Sequence, residues 1–242
     1  MRKDFNWSLL DRDNLYCMLY SAGKDFVGKK IEVKELQKQL STHIKSRLPI
    51  KVIRKQNDLK QNRGFIYVGG TYYSELDANF NNKFIEVVLS YHPLDKFIKL
   101  TEYRWSRICS VFADTVLHEV IHMRQYRSRN FKAIPGYEST AYYHKQRVTQ
   151  EYYGDRDEMG AFAFNIACEM VDRFGPNYAA VQKYMDSMQA KRHKKTTYHR
   201  YLSAFDWNHN HPRMRQMKKK ILRQLDNAYA GKPFKTTNHL TY

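Results

Sequence analysis

Apolar positions along this chain change their period twice, and the changes mark out its elements. Leu10, Leu15, Met18 and Leu19 recur at helical spacing, so residues 9–22 read as a first helix, with Asp11 or Asp13 placed to cap it. Leu36, Leu40 and Ile44 repeat the pattern in a basic amphipathic helix over 33–47, which Pro49 ends. The period then shortens. Residues 50–54 and 64–73 are strand-like, the second interrupted by Gly69-Gly70, and residues 78–83 read as a turn. The run Phe84 to Tyr91 is apolar and β-branched and predicts a further strand, closed by His92-Pro93. Residues 97–105 lead into the next helix.

From Ser106, a residue suited to an N-cap, to Gln125 there is no Gly or Pro. Ile108, Val111, Phe112, Val116, Leu117, Val120 and Ile121 return to helical spacing there. The polar, aromatic stretch from Arg129 to about Gly154 has no clear period. A link of that length in a compact domain is functional or conceals structure. Residues 155–171 open with acids and then turn apolar nearly all round, the pattern of a buried helix, ended by Gly175-Pro176. Further helices are predicted over 176–189 and 214–230.

The central helix carries His118-Glu119-Val120-Ile121-His122. Residues four apart share one helical face, so His118 and His122 can reach a single ion, and imidazole nitrogens suit Zn²⁺. Glu119, beside the first histidine, can take a proton from an attacking water and pass it to a leaving amine. The motif thus supplies two ligands and a base within five residues. The bland alternative is a helix with two solvated histidines and a surface glutamate. Asp114, four residues before His118, shares its face and could orient the imidazole as an acceptor; an ordinary solvated acid would look the same.

With Thr115, Val116, Leu117, Val120, Ile121 and Met123 flanking it, this stretch resembles the zincin metallopeptidases; Arg124 departs from the family, which has an apolar residue there. The resemblance implies zinc-dependent peptide hydrolysis. It also implies that the last strand before the helix, residues 84–91, borders the cleft and offers an open edge to an extended substrate.

A catalytic zinc needs three protein ligands and one open position. Glu158 is the best third candidate. It stands in the first turn of a helix predicted to be buried, where an ionised carboxylate is costly unless paired or bound to metal. Gly160 and Ala161 are small enough to let that helix come close to another. Asp157, His144 and Asp155 remain alternatives, and a helix-opening acid needs no metal at all. A Glu opening a helix that reads E-x-x-A-F-A resembles the gluzincin arrangement, in its small soluble form, over residues 50–175. Larger gluzincins place an Asp four residues after that Glu; here the position is Phe162. Tyr143, His144, Tyr152 and Tyr153 are candidates to stabilise an oxyanion.

Charge adds a second theme. The chain of 242 residues has 42 Lys and Arg against 24 Asp and Glu, a formal charge of +18, which calls for an acidic partner. Residues 191–223 hold eleven cations against the single acid Asp206, with Tyr198, Tyr201, Phe205 and Trp207 interleaved. Lys191, Arg192, Lys194, Lys195, Arg213, Arg215, Lys218, Lys219 and Lys220 are therefore candidates to bind nucleic acid or another polyanion. A solvated basic face is the plainer account. Cys17, Cys109 and Cys168, with no CxxC spacing, read as buried reduced thiols. The N-terminus lacks an apolar signal segment and no run is long enough to span a membrane, so a cytoplasmic protein is expected.

These readings converge on an α+β fold, a small mixed sheet packed on the motif helix. The expected divisions are a helical segment over 1–49, a zincin-like catalytic domain over 50–190 and a basic helical extension over 191–242. The expected activity is that of a zinc metallopeptidase, with a peptide or protein as substrate, acting in one version on nucleic-acid-associated proteins. The competing expectation is a nucleic-acid-binding or assembly protein with a structural or idle zinc site.

Overall fold

The computed structural model describes residues 11–45, 48–56, 63–79, 83–132, 145–193 and 196–229. The fold is α+β, rich in helix, with a small mixed sheet. Its residues fall into two compact units, one built by the described residues up to Phe131 and the other by those from Lys132 onward.

The first unit begins with α1 (Arg12–Gly23), whose first amides are accepted by the Asp11 carboxylate, as the sequence allows. Strand β1 (Lys30–Glu32) follows, then α2 (Val33–Lys45). Leu36, Leu40 and Ile44 of α2 are buried, each contributing roughly 1.5–3 kcal/mol. The side chain of Gln37 donates to the carbonyl of Val52, 2.8 Å away, tying α2 to the sheet. Helix α2 thus belongs to the sheet's own core, and α1 packs on α2 and on the motif helix. The expected break at 49/50 falls inside this unit, because the sheet covers the apolar face of α2, and α2 and the motif helix cover that of α1.

The sheet is formed by β2 (Ile50–Gln56), β3 (Ile66–Tyr72) and β4 (Ile85–Tyr91), in the order β2-β4-β3. Strand β4 pairs in parallel with β2, from Ile50 opposite Ile85 to Gln56 opposite Tyr91. It pairs antiparallel with β3, from Ile66 opposite Tyr91 to Tyr72 opposite Ile85. Residues 84–91 therefore do not supply an open edge; β4 is the central strand. Its composition explains the place, since Ile85, Val87, Leu89 and Tyr91 are all buried on one face and a β-branched run suits a strand with neighbours on both sides. The two edges are β2 and β3, the latter carrying the glycine pair.

Residues 74–78, between β3 and β4, form a short helix, α3 (Ser74–Ala78). Strand β5 (Phe97–Lys99) pairs with β1 in a separate two-stranded ribbon. The motif helix α4 (Glu102–Ser128) is longer than the sequence indicates. Thr101, not Ser106, caps it, accepting from the amide of Arg104. Ser106 sits within the helix and meets the hydroxyl of Tyr16 at 2.9 Å. Trp105 is wholly buried and donates its indole N–H to the carbonyl of Tyr20 at 3.0 Å. Its ring fills the place where a Cβ on Gly23 would stand, so the end of α1 must be bare.

In the second unit, α5 (Lys145–Gly154) occupies part of the stretch without period. Its core helix is α6 (Arg156–Phe174), with Met159, Ala163, Ile166, Ala167 and Met170 buried. Around it stand α7 (Tyr178–Asp186), α8 (Thr197–Ala204) and α9 (Pro212–Tyr229). Met214, Met217, Ile221 and Leu225 of α9 are fully buried, and the alanines of α6 let α9 approach closely. Glu169 of α6 accepts from the amide of Thr197 at 2.8 Å, placing a carboxylate at the start of α8. The expected division at 190/191 also falls inside a unit, because this basic region buries its apolar face on α6. Cys109 and Cys168 are buried, as read; Cys17, on α1, is exposed. Among the described residues, no helix is long and apolar enough to cross a membrane.

Candidate metal centre

Helix α4 gives the motif its geometry. His118, Glu119 and His122 are 9%, 7% and 9% exposed. The two histidine rings lie edge to face, with centroids 4.9 Å apart, as an i, i+4 pair on one helical face must. The solvated-histidine alternative does not describe these side chains. One turn further on, the Oε1 of Gln125 lies 3.0 Å from Nδ1 of His122. A carboxamide oxygen accepts, so it favours the tautomer with the proton on Nδ1 and leaves Nε2 with its lone pair. Sequence reasoning missed Gln125. Its signal was the three-residue step from His122, which puts the two side chains side by side.

Glu158 stands in the first turn of α6. One ligand atom from each of His118, His122 and Glu158 can be chosen so that all lie within 4.8 Å of one another, a group able to hold a metal ion. The two alternative acids of that turn are placed differently. Asp155 is the N-cap of α6, its carboxylate accepting from the amides of Asp157 and Glu158 at 2.8 and 3.2 Å. Asp157 lies in the first turn beside Glu158, outside that group. His144 and Tyr143 lie outside the described residues.

Other candidates have structural engagements. Asp114 accepts from Nε of Arg12 at 2.7 Å, tying α1 to α4. Tyr152 and Tyr153, on α5, join an aromatic cluster with Phe162; the ring of Tyr153 also packs on that of Tyr201, whose hydroxyl donates to the Tyr153 carbonyl. Burial pushes the Tyr153 phenol up, so it remains a donor at neutral pH. Arg124, the departure from the zincin pattern, is half-buried, and burial followed by repulsion from Arg127 pushes it down to about 10.

The basic candidates divide. Lys194 and Lys195 lie outside the described residues. Lys191 stands over the ring of Trp207 at 5.0 Å, and Arg192 is exposed beside it. Lys218 pairs with Asp186 at 2.6 Å. Lys220 is half-buried, its pKa lowered by burial and then by Arg156 and Arg223. Arg213 donates to Gln216 at 3.3 Å. Arg215 and Lys219 point outward from α9, as does Arg223.

Comparison with protein-family models, curated proteins and solved structures found no match to this chain.

Proposed function

We propose that the chain is a zinc-dependent peptidase of the zincin type, with His118, His122 and Glu158 as its metal ligands. The observation that carries this reading is the convergence of those three donors beside a buried Glu119. Two imidazoles and a carboxylate are a donor set suited to zinc, and three protein ligands leave a position for substrate. Zinc held there would supply Lewis-acid polarisation of a peptide carbonyl and ready deprotonation of a water. The chain's own residues do the rest. Gln125 fixes the His122 tautomer. Glu119 takes the proton of the attacking water and delivers it to the leaving nitrogen. The outer edge of β3, which pairs with no strand among the described residues, suits an extended peptide laid alongside it.

The test is elemental analysis of the purified protein. Near-stoichiometric zinc is expected in the wild type, and its loss in both His118→Ala and Glu158→Ala. Retention by Glu158→Ala would remove Glu158 from the ligand set. No zinc in the wild type, even after addition, would end the peptidase reading.

A second reading rests on α9. Arg215 and Lys219 stand at a four-residue step on the side opposite its buried stripe. Like charges at that spacing repel, and a chain of phosphates would relieve the repulsion. The partner is then a nucleic-acid backbone, bound with or without peptidase activity. Binding of a labelled single-stranded oligonucleotide should weaken steeply between 50 and 200 mM salt, conditions chosen to expose about 0.7 of slope per phosphate contact. Arg215→Gln with Lys219→Gln should reduce the log–log slope by about 1.4. An unchanged slope would dismiss this surface.

A further inference from the structure

The sequence shows a glycine pair in β3 and leaves its purpose open. The backbone requires glycine at neither position, since the positive-φ glycines among the described residues are Gly28, Gly64 and Gly175. Alternation along β3 turns Ile66, Val68, Gly70 and Tyr72 to the covered face and Tyr67, Gly69 and Thr71 outward. A covered position on a strand packed against a helix ordinarily carries a β-branched or aromatic side chain, and glycine there weakens the strand. Gly70 is the bare place in that row.

What occupies the space is Glu119 together with the methyl of Thr115. A Cβ on Gly70 would lie 2.9 Å from both Cγ and Oε1 of Glu119, and 2.6 Å from Cγ2 of Thr115, one turn earlier on α4. By contrast, a Cβ on Gly69 would meet nothing within 4 Å. The two glycines therefore differ. Gly69 is open, and Gly70 is matched to the glutamate of the motif.

We infer that Gly70 is a positioning residue for Glu119: its missing side chain is the seat that holds the carboxylate against β3. This rests on the peptidase reading for its consequence, but the seat itself is a feature of α4 and β3 alone. Three groups define it. The strand backbone sets the floor, Thr115 sets the distance between strand and helix, and the Glu119 stem lies along the bare Cα. Adding one methyl must move the strand from the helix or the carboxylate from its place. Movement of the glutamate would disturb the proton acceptor while leaving His118 and His122 where α4 puts them.

The experiment separates these outcomes in the full chain. In metal-free protein, Gly70→Ala is expected to lower Tm by several degrees, and adding Glu119→Ala in that background should recover part of the loss. Additive Tm shifts would overturn the seat. In zinc-loaded protein, hydrolysis of labelled casein by Gly70→Ala should show kcat lowered 10- to 100-fold, with KM within twofold and metal content unchanged. Gly70→Ala with Thr115→Ser removes the methyl of Thr115 and should recover part of the Tm loss but not kcat. Recovery of wild-type kcat in that double variant would show that only strand–helix spacing mattered, and would overturn the positioning role. If the wild type fails to hydrolyse casein, the peptidase reading loses support, while the metal-free cycle still decides whether Gly70 seats Glu119.

Discussion

Glu119→Gln is expected to keep its metal and lose turnover by about 10²- to 10⁴-fold, the range that a positioned general base contributes. The argument is one of shape against charge. Glutamine has the outline of glutamate, so it can occupy the same space beside Gly70. It is not among the proposed ligands, so elemental analysis should find wild-type zinc content. Its amide has no basic oxygen to take a proton from water. Labelled-casein hydrolysis and metal content, measured on one preparation, check the two halves. Turnover that survived the substitution would remove Glu119 from the chemistry and with it the mechanism proposed above.

Asp77→Ala should destabilise the first unit strongly, by about 3 kcal/mol. Asp77 is 2% exposed and lies on α3. It accepts from Nε and Nη2 of Arg127 at 2.7 and 2.6 Å, a two-pronged pairing. Tyr72 of β3 adds a third bond at 2.9 Å. Burial and then the Asp77 charge hold the Tyr72 phenol well above its ordinary pKa, keeping it a donor. Alanine would strip the partner from a guanidinium and a hydroxyl held at the junction of α3, α4 and β3. Urea unfolding would give the free-energy loss, and a change below about 1 kcal/mol would show that water replaces the carboxylate freely. Asp77→Asn should lose less, because an amide still accepts a hydrogen bond.

Much of this was legible from spacing alone. Four-residue steps found α4 and its histidines, and an all-round apolar composition found α6. Both are long enough for a period to repeat. Strands β1 and β5 have three residues each, too few for alternation to declare itself. Helix α5 hid in a polar stretch, and α8 is only eight residues long. The strands at 50–54, 64–73 and 84–91 were recognisable, but the central place of the last was not, because pairing partners are chosen by the whole sheet. The pairing of Asp77 with Arg127 joins residues far apart in sequence. Gln125 was within reach of the same helical rule that found the histidines. Gly70 was visible as an irregularity, but only the distance to Glu119 gives it a meaning.

The strand order also orders events in time. Strands β3 and β4 are near neighbours in sequence and can meet as soon as both exist. Strand β2 emerges earlier but has to wait for β4, since its register begins with Ile50 against Ile85. Closing that longer loop costs more chain entropy than closing the antiparallel pair. The oldest strand of the sheet is thus the last to be seated, and it brings α2 with it, while α4 rests on β3 and β4, which can already be paired. Refolding should accordingly pass its slow step at β2, with the antiparallel pair of β3 and β4 already in place.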